Sequence, residues 1–586
     1  EQYTKATFLS CMLNTLKMKK YFTLLIGSTF IITTTDGQIF TRITDGELVN
    51  TPSDSRSCNW VDINNDGFQD VFISNGKAGG ENNMLYVNQG DGNFTTVTGD
   101  PIVMDNQPSD GATWADMDND GDIDAFVVNW YGKNNMLYAN NGDGTFEQIV
   151  DGIAVNDFGY SETAAWGDYD NDGYVDLYVT NSDSIKKNYL YHNDGSTFTK
   201  ITEGDITTEA YVSRCANWID VDGDNDVDMF VTNESNQQEN LYLNNGDGTF
   251  TKKTSDPLVL NGGKTMSASW GDVDNDGDFD VFLANDGANN ALFYNDGEGN
   301  FTKATTDIVS NDGGNSFGSN FADIDNDGDL DLFVTNSFWG TMWNNFLYLN
   351  NGDGTFTKNT TDVTATDLGW SYGNAFGDYD NDGDMDLVVA NCFDAAQNNN
   401  LYNNNGNDNN WVTISCVGTM SNKSAIGAVV KVLATINGEP TWQMAQISGQ
   451  TGYCGQNMLP AHFGLGDATI IDSVYIYWPS GYVDIATNLP INQFATIAEG
   501  TYGNAVSTFG KNELKIAPNP ADTFINFGVN ELADIQIYNL NGQLVVQYIQ
   551  YANEDLNITS IETGNYIVVI NTISNFKMAG RLVVAR

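Results

Sequence analysis

The stretch WADMDNDGDIDAFVVN, Trp114 to Asn129, decides the fold, because close variants of it return along most of the chain. Its centre, DMDNDGDID from Asp116, has counterparts in DINNDGFQD at Asp62, DYDNDGYVD at Asp168 and DVDGDNDVD at Asp220. Three more follow: DVDNDGDFD at Asp272, DIDNDGDLD at Asp323 and DYDNDGDMD at Asp378. The spacings are 54, 52, 52, 52, 51 and 55 residues, a period that belongs to propeller blades or other stacked units. An aromatic stands two residues before each acidic segment: Trp60, Trp114, Trp166, Trp218, Trp270, Phe321 and Phe376. A β-branched and aromatic run such as VFISN or LFVTN follows, which reads as a strand. Each acidic segment therefore joins two strands of one blade.

A second phrase, as in NMLYANNGDGTF, recurs downstream and reads as strand, Gly-rich hairpin turn, strand. Its closing residues, Phe94, Phe146, Phe198, Phe250, Phe301 and Phe356, each precede the next acidic segment by 22 residues. The seventh repeat stops at LYNNNG, Leu401 to Gly406, without its Phe strand, while Phe40 lies 22 residues before Asp62. FTRITDG from Phe40 also matches FTKITEG from Phe198. The N-terminus supplies the missing strand of the last blade. The expected fold is all-β: a closed seven-bladed β-propeller over residues 39–408, four strands per blade, whose closure leaves few sheet edges.

Within each acidic loop, side-chain oxygens fall at positions 1, 3, 5 and 9, a carbonyl is available at 7, and Gly usually stands at 6. The candidate ligands are Asp62, Asn64, Asp66, Phe68 (carbonyl) and Asp70, then Asp116, Asp118, Asp120, Asp122 and Asp124. The third and fourth sets are Asp168, Asp170, Asp172, Tyr174 (carbonyl) and Asp176, and Asp220, Asp222, Asp224, Asp226 and Asp228. Asp272, Asp274, Asp276, Asp278 and Asp280 form the fifth. Asp323, Asp325, Asp327, Asp329 and Asp331 form the sixth, and Asp378, Asp380, Asp382, Asp384 and Asp386 the seventh. Hard oxygen ligands in this number favour Ca²⁺ over Zn²⁺ or Mg²⁺, so about seven structural calcium ions are expected. Position 12 is not Glu but Ile73 or Val127 in the first two loops, and strands flank the loops, so an opening helix-pair sensor is excluded. The fourth loop departs, with Gly223 at position 4 and Asn225 at position 6.

Composition agrees. The 586 residues carry 24 Lys plus Arg against 78 Asp plus Glu, a formal charge of -54, which opposes binding to nucleic acid or anionic lipid. With 40% hydrophobic and 12% aromatic residues, the acidity is not that of a disordered tail. Met18-Lys19-Lys20, an apolar run from Tyr21 to Ile32 and a polar stretch to Gln38 read as a signal peptide over 18–38, too short to span a bilayer. Residues 1–17 precede Met18 and are left out of the fold reading.

On these motifs the chain resembles the FG-GAP/VCBS repeat proteins, which build integrin-like propellers associated with calcium and extracellular interaction. Downstream, NWVTISCVGTMSNKSAIGAVVKVLA from Asn410 and HFGLGDATIIDSVYIYWPSG from His462 are similar to the ASPIC/UnbV domain, placed at 409–498 as a small β domain packed on the propeller. The pair resembles bacterial relatives of the cartilage acidic protein family. LKIAPNPADTFINF from Leu514, ADIQIYNLNGQLV from Ala533 and IETGNYIVVI from Ile561 resemble a type IX secretion sorting domain, a β-sandwich at 513–586 reached through a linker at 499–512. That resemblance implies export through the periplasm of a Gram-negative bacterium to the cell surface or medium, with the export machinery as a partner.

No catalytic constellation is evident. His192 and His462 have neither a nucleophile nor zinc spacing beside them and read as structural. Five Cys follow the signal peptide, and Cys416 with Cys454 is the expected disulfide, since both sit in the appended domain. On the face opposite the acidic loops, the variable connections carry Trp130, Tyr131, Phe338, Trp339 and Trp343, and the other connections carry Tyr160, Arg214, Trp370 and Tyr372. Aromatics on variable loops suit contacts with sugars or peptides. The expected role is a secreted or cell-surface adhesion or ligand-binding module for an extracellular polysaccharide or protein. The alternatives are a calcium-dependent polysaccharide-degrading enzyme such as a lyase, and a structural matrix protein.

Overall fold

Segments such as DVFISN, DAFVVN and DLFVTN are buried at every position, as strands packed on both faces must be. In the computed structural model each is the second strand of a four-stranded antiparallel blade. The structure describes residues 38–337, 342–392, 397–502, 516, 519–527, 532–539, 544–551, 555–561, 563–572 and 577–585. All of the signal-peptide expectation at 18–38 except Gln38, and the candidates Phe338 and Trp339, lie outside them.

Blade 2 shows the unit. Ser109–Ala115, Asp124–Asn129, Met136–Asn140 and Phe146–Ile149 pair in order, with the acidic loop between the first two strands. The first strands of successive blades, from Ser55–Val61 in blade 1 to Ser371–Gly377 in blade 7, touch one another around a closed ring that lines the central channel. In blade 7 the strand Phe40–Arg42 pairs with Asn400–Asn404, Phe40 opposite Asn404. Phe40 is fully buried, and the Asp362 carboxylate accepts the amides of Ile39 and Phe40. Seven blades are closed by the N-terminal strand. The aromatic before each loop sits between blades: the Trp60 indole donates to Ala375 of blade 7, Trp166 to Thr113 and Trp218 to Ala165.

The next segment forms two sheets, one of three strands (Asn410–Val417, Ala461–Gly466, Phe494–Ala498) and one of four (Val429–Ile436, Glu439–Gln446, Ile471–Tyr477, Val483–Leu489). This domain sits on the acidic-loop face of the propeller. Lys423 NH donates to Asn119 Oδ1 (2.7 Å), Lys431 Nζ to the Gly277 carbonyl (3.1 Å), and Asn225 Nδ2 to the Trp478 carbonyl (3.2 Å). Residues 499–502, expected to open a linker, fold with the domain instead. The Glu499 carboxylate accepts the amides of Thr419, Met420 and Ser421, and the Gly500 and Tyr502 amides donate to Asp484.

Residues 447–460 leave this domain as a finger and enter the central channel. Gly455–Gln456 adds a parallel pair to the first strand of blade 1, opposite Cys58 and Asn59. Asn217 Nδ2 donates to Gln450 O, the Tyr453 amide to Ser267 Oγ, and the Trp114 amide to Gln456 Oε1. The insertion separates the two cysteines expected to pair: Cys454 is buried in the channel while Cys416 stays on its own sheet, and both are free thiols. In the C-terminal segment, Leu532–Asn539, Leu544–Tyr551, Gly564–Thr572 and Lys577–Val584 form a four-stranded sheet, and Phe524–Ile525 pairs with Leu556–Asn557. The two share a core that includes Ile525, Ile537, Leu556 and Val568. Among the described residues no helix is long and apolar enough to cross a membrane.

Candidate functional site

Two places in the propeller gather chemistry: the ring of acidic loops under the appended domain, and the opposite mouth of the channel.

In all seven loops the position-1 carboxylate organises the turn. Its Oδ1 accepts the position-5 amide at 3.0–3.2 Å. Its Oδ2 accepts the position-6 amide at 2.7–3.1 Å. The position-9 carboxylate accepts the position-2 amide on one oxygen and, on the other, the amide of the Asn that ends the third strand, as Asp124 does from Met117 and Asn140. Each such Asn also donates to a position-2 carbonyl of the preceding blade: Asn140 to Ile63, Asn350 to Val273, Asn404 to Ile324. These asparagines tie loop to loop and were not singled out from the sequence, where they read as turn residues.

The side-chain oxygens of Asp116, Asp118 and Asp124 lie within 4.8 Å of one another, as do those of Asp220, Asp222 and Asp228, and of Asp272, Asp274 and Asp276. Oxygens bound to one Ca²⁺ at about 2.3–2.6 Å span up to ~5 Å, so the cages have the right size. Asp325 Oδ1 is buried and accepts no hydrogen bond, as an oxygen placed for a cation would be. Burial, followed by neighbouring carboxylates, pushes Asp168 up to about 8 and Asp272 to about 7. Crowding of this kind is relieved by a cation.

The fourth loop keeps this geometry. In six loops the left-handed position 4 is Asn, for example Asn65 (φ 56°) and Asn326 (φ 56°), and the left-handed position 6 is Gly. In the fourth, Gly223 (φ 71°) and Asn225 (φ 70°) exchange these places; both residue types tolerate that conformation. The position-4 Asn ordinarily reaches the next loop, as Asn65 Nδ2 does to the Gly121 carbonyl and Asp122 Oδ1. Asn225 instead holds the appended domain at Trp478. His192, read as structural, lies on the third strand of its blade, Tyr189–Asn193, and faces the third loop. Its Nδ1 lies 3.2 Å from Asp176 Oδ1 and 3.3 Å from Asp170 Oδ2. His462, read as structural, is half-buried between Thr413 Oγ1 (3.0 Å) and Asn326 Oδ1 (2.7 Å).

At the opposite mouth a cavity of about 580 Å³ opens on the propeller axis. Of the aromatic and cationic candidates on this face, Trp130, Tyr131, Arg214 and Tyr372 line it. Tyr160 packs edge-on against Trp130, 5.1 Å between centroids. Trp370 is half-buried outside the lining, and Trp343 lies away beside Gly369. The sequence reading missed Arg56, Asp110, Glu162 and Glu234, which also line the cavity, and Tyr453, fully buried beneath that lining. The Tyr453 hydroxyl donates to Glu162 Oε2 at 2.8 Å and lies 3.3 Å from Asp110 Oδ2. Arg214 bridges Glu162 (2.5 Å) and Glu234. The Trp130 indole donates to Glu162 Oε1 at 2.9 Å, and Arg56 covers the Tyr372 ring at 4.9 Å. Burial works to raise the Glu162 pKa, but Arg214 and the hydroxyls around it prevail and hold it low. Burial and the Glu162 charge push Asp110 up to about 8.

Comparison with known families assigns residues 62–127, 116–179, 168–231, 220–283, 272–334 and 337–389 to FG-GAP-like repeats. Residues 418–503 match the ASPIC and UnbV domain, and 515–585 the secretion system C-terminal sorting domain. Cartilage acidic protein 1 of Xenopus tropicalis is 27% identical over 323 residues, 52% of this chain and 46% of its own length. The Homo sapiens protein of that name is 27% identical over 186 residues, 31% of this chain and 27% of its own. The chain thus spans less than half of either relative. Among solved structures, a lectin of Agrocybe aegerita is 19% identical with a TM-score of 0.40, covering 53% of this chain and 83% of the lectin. The sorting domain places the protein at the cell surface or in the extracellular space.

Proposed function

The chain belongs to the FG-GAP-like repeat family, and from that premise we propose that it is an exported calcium-binding propeller whose face opposite the acidic loops binds an extracellular polysaccharide or protein. One observation carries the reading. The appended domain occupies the acidic-loop face and its finger fills the channel, which leaves the opposite mouth, with its aromatic and charged lining, as the open cavity on the axis. The seven cages hold Ca²⁺ through the position 1, 3, 5 and 9 oxygens and the position-7 carbonyl, the ion supplying charge balance to the scaffold. The role is binding rather than turnover: the cavity carboxylates are engaged by Arg214, Arg56 and Tyr453.

Two measurements on the exported protein test this. Elemental analysis is expected to find about seven Ca²⁺ per chain, and the protein is expected to bind isolated cell-surface material in calcium and to leave it on chelation. Two or fewer ions, or retention indifferent to both calcium and the open face, would overturn the proposal.

A further inference from the structure

We infer that the axial cavity takes the free end of a neutral or amino-bearing glycan chain, and that Tyr453 of the inserted finger, buried beneath the cavity, holds the Glu162 carboxylate of its lining in place for that end. The inference rests on the binding role proposed for this face and names its ligand.

The floor decides the topology of the ligand. The propeller's channel would be open at both ends, but the finger closes it: Cys58 NH donates to the Cys454 carbonyl, and Gly373 and Gly455 approach the finger and channel backbones so closely that a Cβ would meet oxygens at 2.0–2.1 Å. A chain cannot thread through, so one that enters along the axis ends there. The volume of about 580 Å³ lies in the range of roughly 300–1,000 Å³ typical of small-ligand sites.

The walls decide its chemistry. Asp54, Asp110, Glu234 and Asp286 present acceptors, while Arg56 and Lys77 present donors. Hydroxyl groups both donate and accept, so a polyol surface is matched by walls that carry both kinds of group. Tyr131, 41% exposed and edge-on to Trp130 at 4.5 Å, gives the mouth an aromatic surface on which a sugar ring can lie. Charge decides among glycans. Five carboxylates and three cationic side chains line the cavity, in a chain of net charge -54. Uronate and sulfate ends are repelled, and an ammonium is welcomed.

The test is calorimetric titration of the full chain in calcium with short oligosaccharides ending in a neutral hexose, an amino sugar or a uronate, and with the neutral chain capped at both ends by a bulky group. Neutral and amino ends are expected to bind, and uronate and capped chains to fail. Tyr131→Ala, at an exposed site, should weaken binding roughly tenfold, the loss of one aromatic contact, with melting unchanged. Tyr453→Phe, checked for folding by melting, should alter the preference between ends. Equal binding of capped or uronate chains, or titrations unmoved by both variants, would overturn the inference. If the protein still binds cell-surface material but no oligosaccharide, or binds only polypeptide there, the glycan assignment falls while the binding role stands. If it binds neither, the binding role itself fails.

Discussion

Asn326 holds three parts of the molecule at one atom set. Its left-handed backbone turns the sixth loop, and its Nδ2 donates to the Gly383 carbonyl (3.0 Å) and Asp384 Oδ1 (2.8 Å) of the seventh. Its Oδ1 accepts from His462 Nε2 of the appended domain. An amide oxygen cannot donate, so His462 carries its proton on Nε2 and accepts from Thr413 on Nδ1. Asn326→Ala leaves buried partners unpaired and removes the polar side chain by which Asn tolerates the left-handed region, so a loss of about 3 kcal/mol is expected. Asn326→Gly removes the strain but not the lost bonds and should cost less; calorimetry of both in calcium checks the order. Burial lowers His462 to about 4 from an ordinary 6.5. Between those values the unfolded chain binds the extra proton, so the neutral, half-buried imidazole disfavours the fold increasingly as pH falls from about 6.5 to 4, by up to about 3 kcal/mol in all. His462→Gln should flatten that part of the melting-temperature profile against pH; an unchanged profile would show that His462 titrates freely.

At the scale of elements, the finger at 447–460 makes propeller and appended domain one unit. A Cβ on Gly452 would meet Ser319 O at 2.2 Å, and one on Gly455 would meet Asn374 O at 2.1 Å. Both obstacles are backbone atoms of channel-lining strands, which cannot step aside as a side chain can. Gly455→Ala is therefore expected to destabilise by about 3 kcal/mol and to expose the finger to proteolysis, whereas Gly79→Ala, with nothing within 4 Å, should be near neutral. The finger was not legible in the sequence, because SGQTGYCGQN from Ser448 has the composition of a surface turn and only the channel's shape makes it an insertion. The strands and the ring were legible, since a 22-residue offset repeated seven times ties Phe40 to the last blade without any tertiary information. The acidic loops were visible for the same reason. Tyr453, Arg56, Asp110 and Glu162 were not, because they meet across 343 residues of sequence through a contact that no local pattern encodes.

The whole molecule concentrates its negative charge in seven loops on one face, beneath a second domain. At tenfold excess over its dissociation constant, one Ca²⁺ adds about 1.4 kcal/mol; seven add roughly 10, as much as the entire stability of a typical domain, about 5–15 kcal/mol. Chelation is thus expected to lower the melting temperature sharply, and pH sets the size of the effect. In the cation-free fold, burial pushes Asp70 up to about 7, Asp124 to about 8 and Asp280 to about 9, against 3.8 for the free group. Between pH 4 and those values the folded chain binds more protons than the unfolded one, so stability without calcium falls as pH rises through that window. With calcium the same carboxylates are ionised in the fold, protons compete with the ion, and stability rises with pH instead. The gap between calcium-loaded and chelated melting temperatures should accordingly widen from pH 5 to pH 8. A gap that stays constant across that range would mean that the seven loops hold their shape by hydrogen bonds alone, with no cation linked to folding.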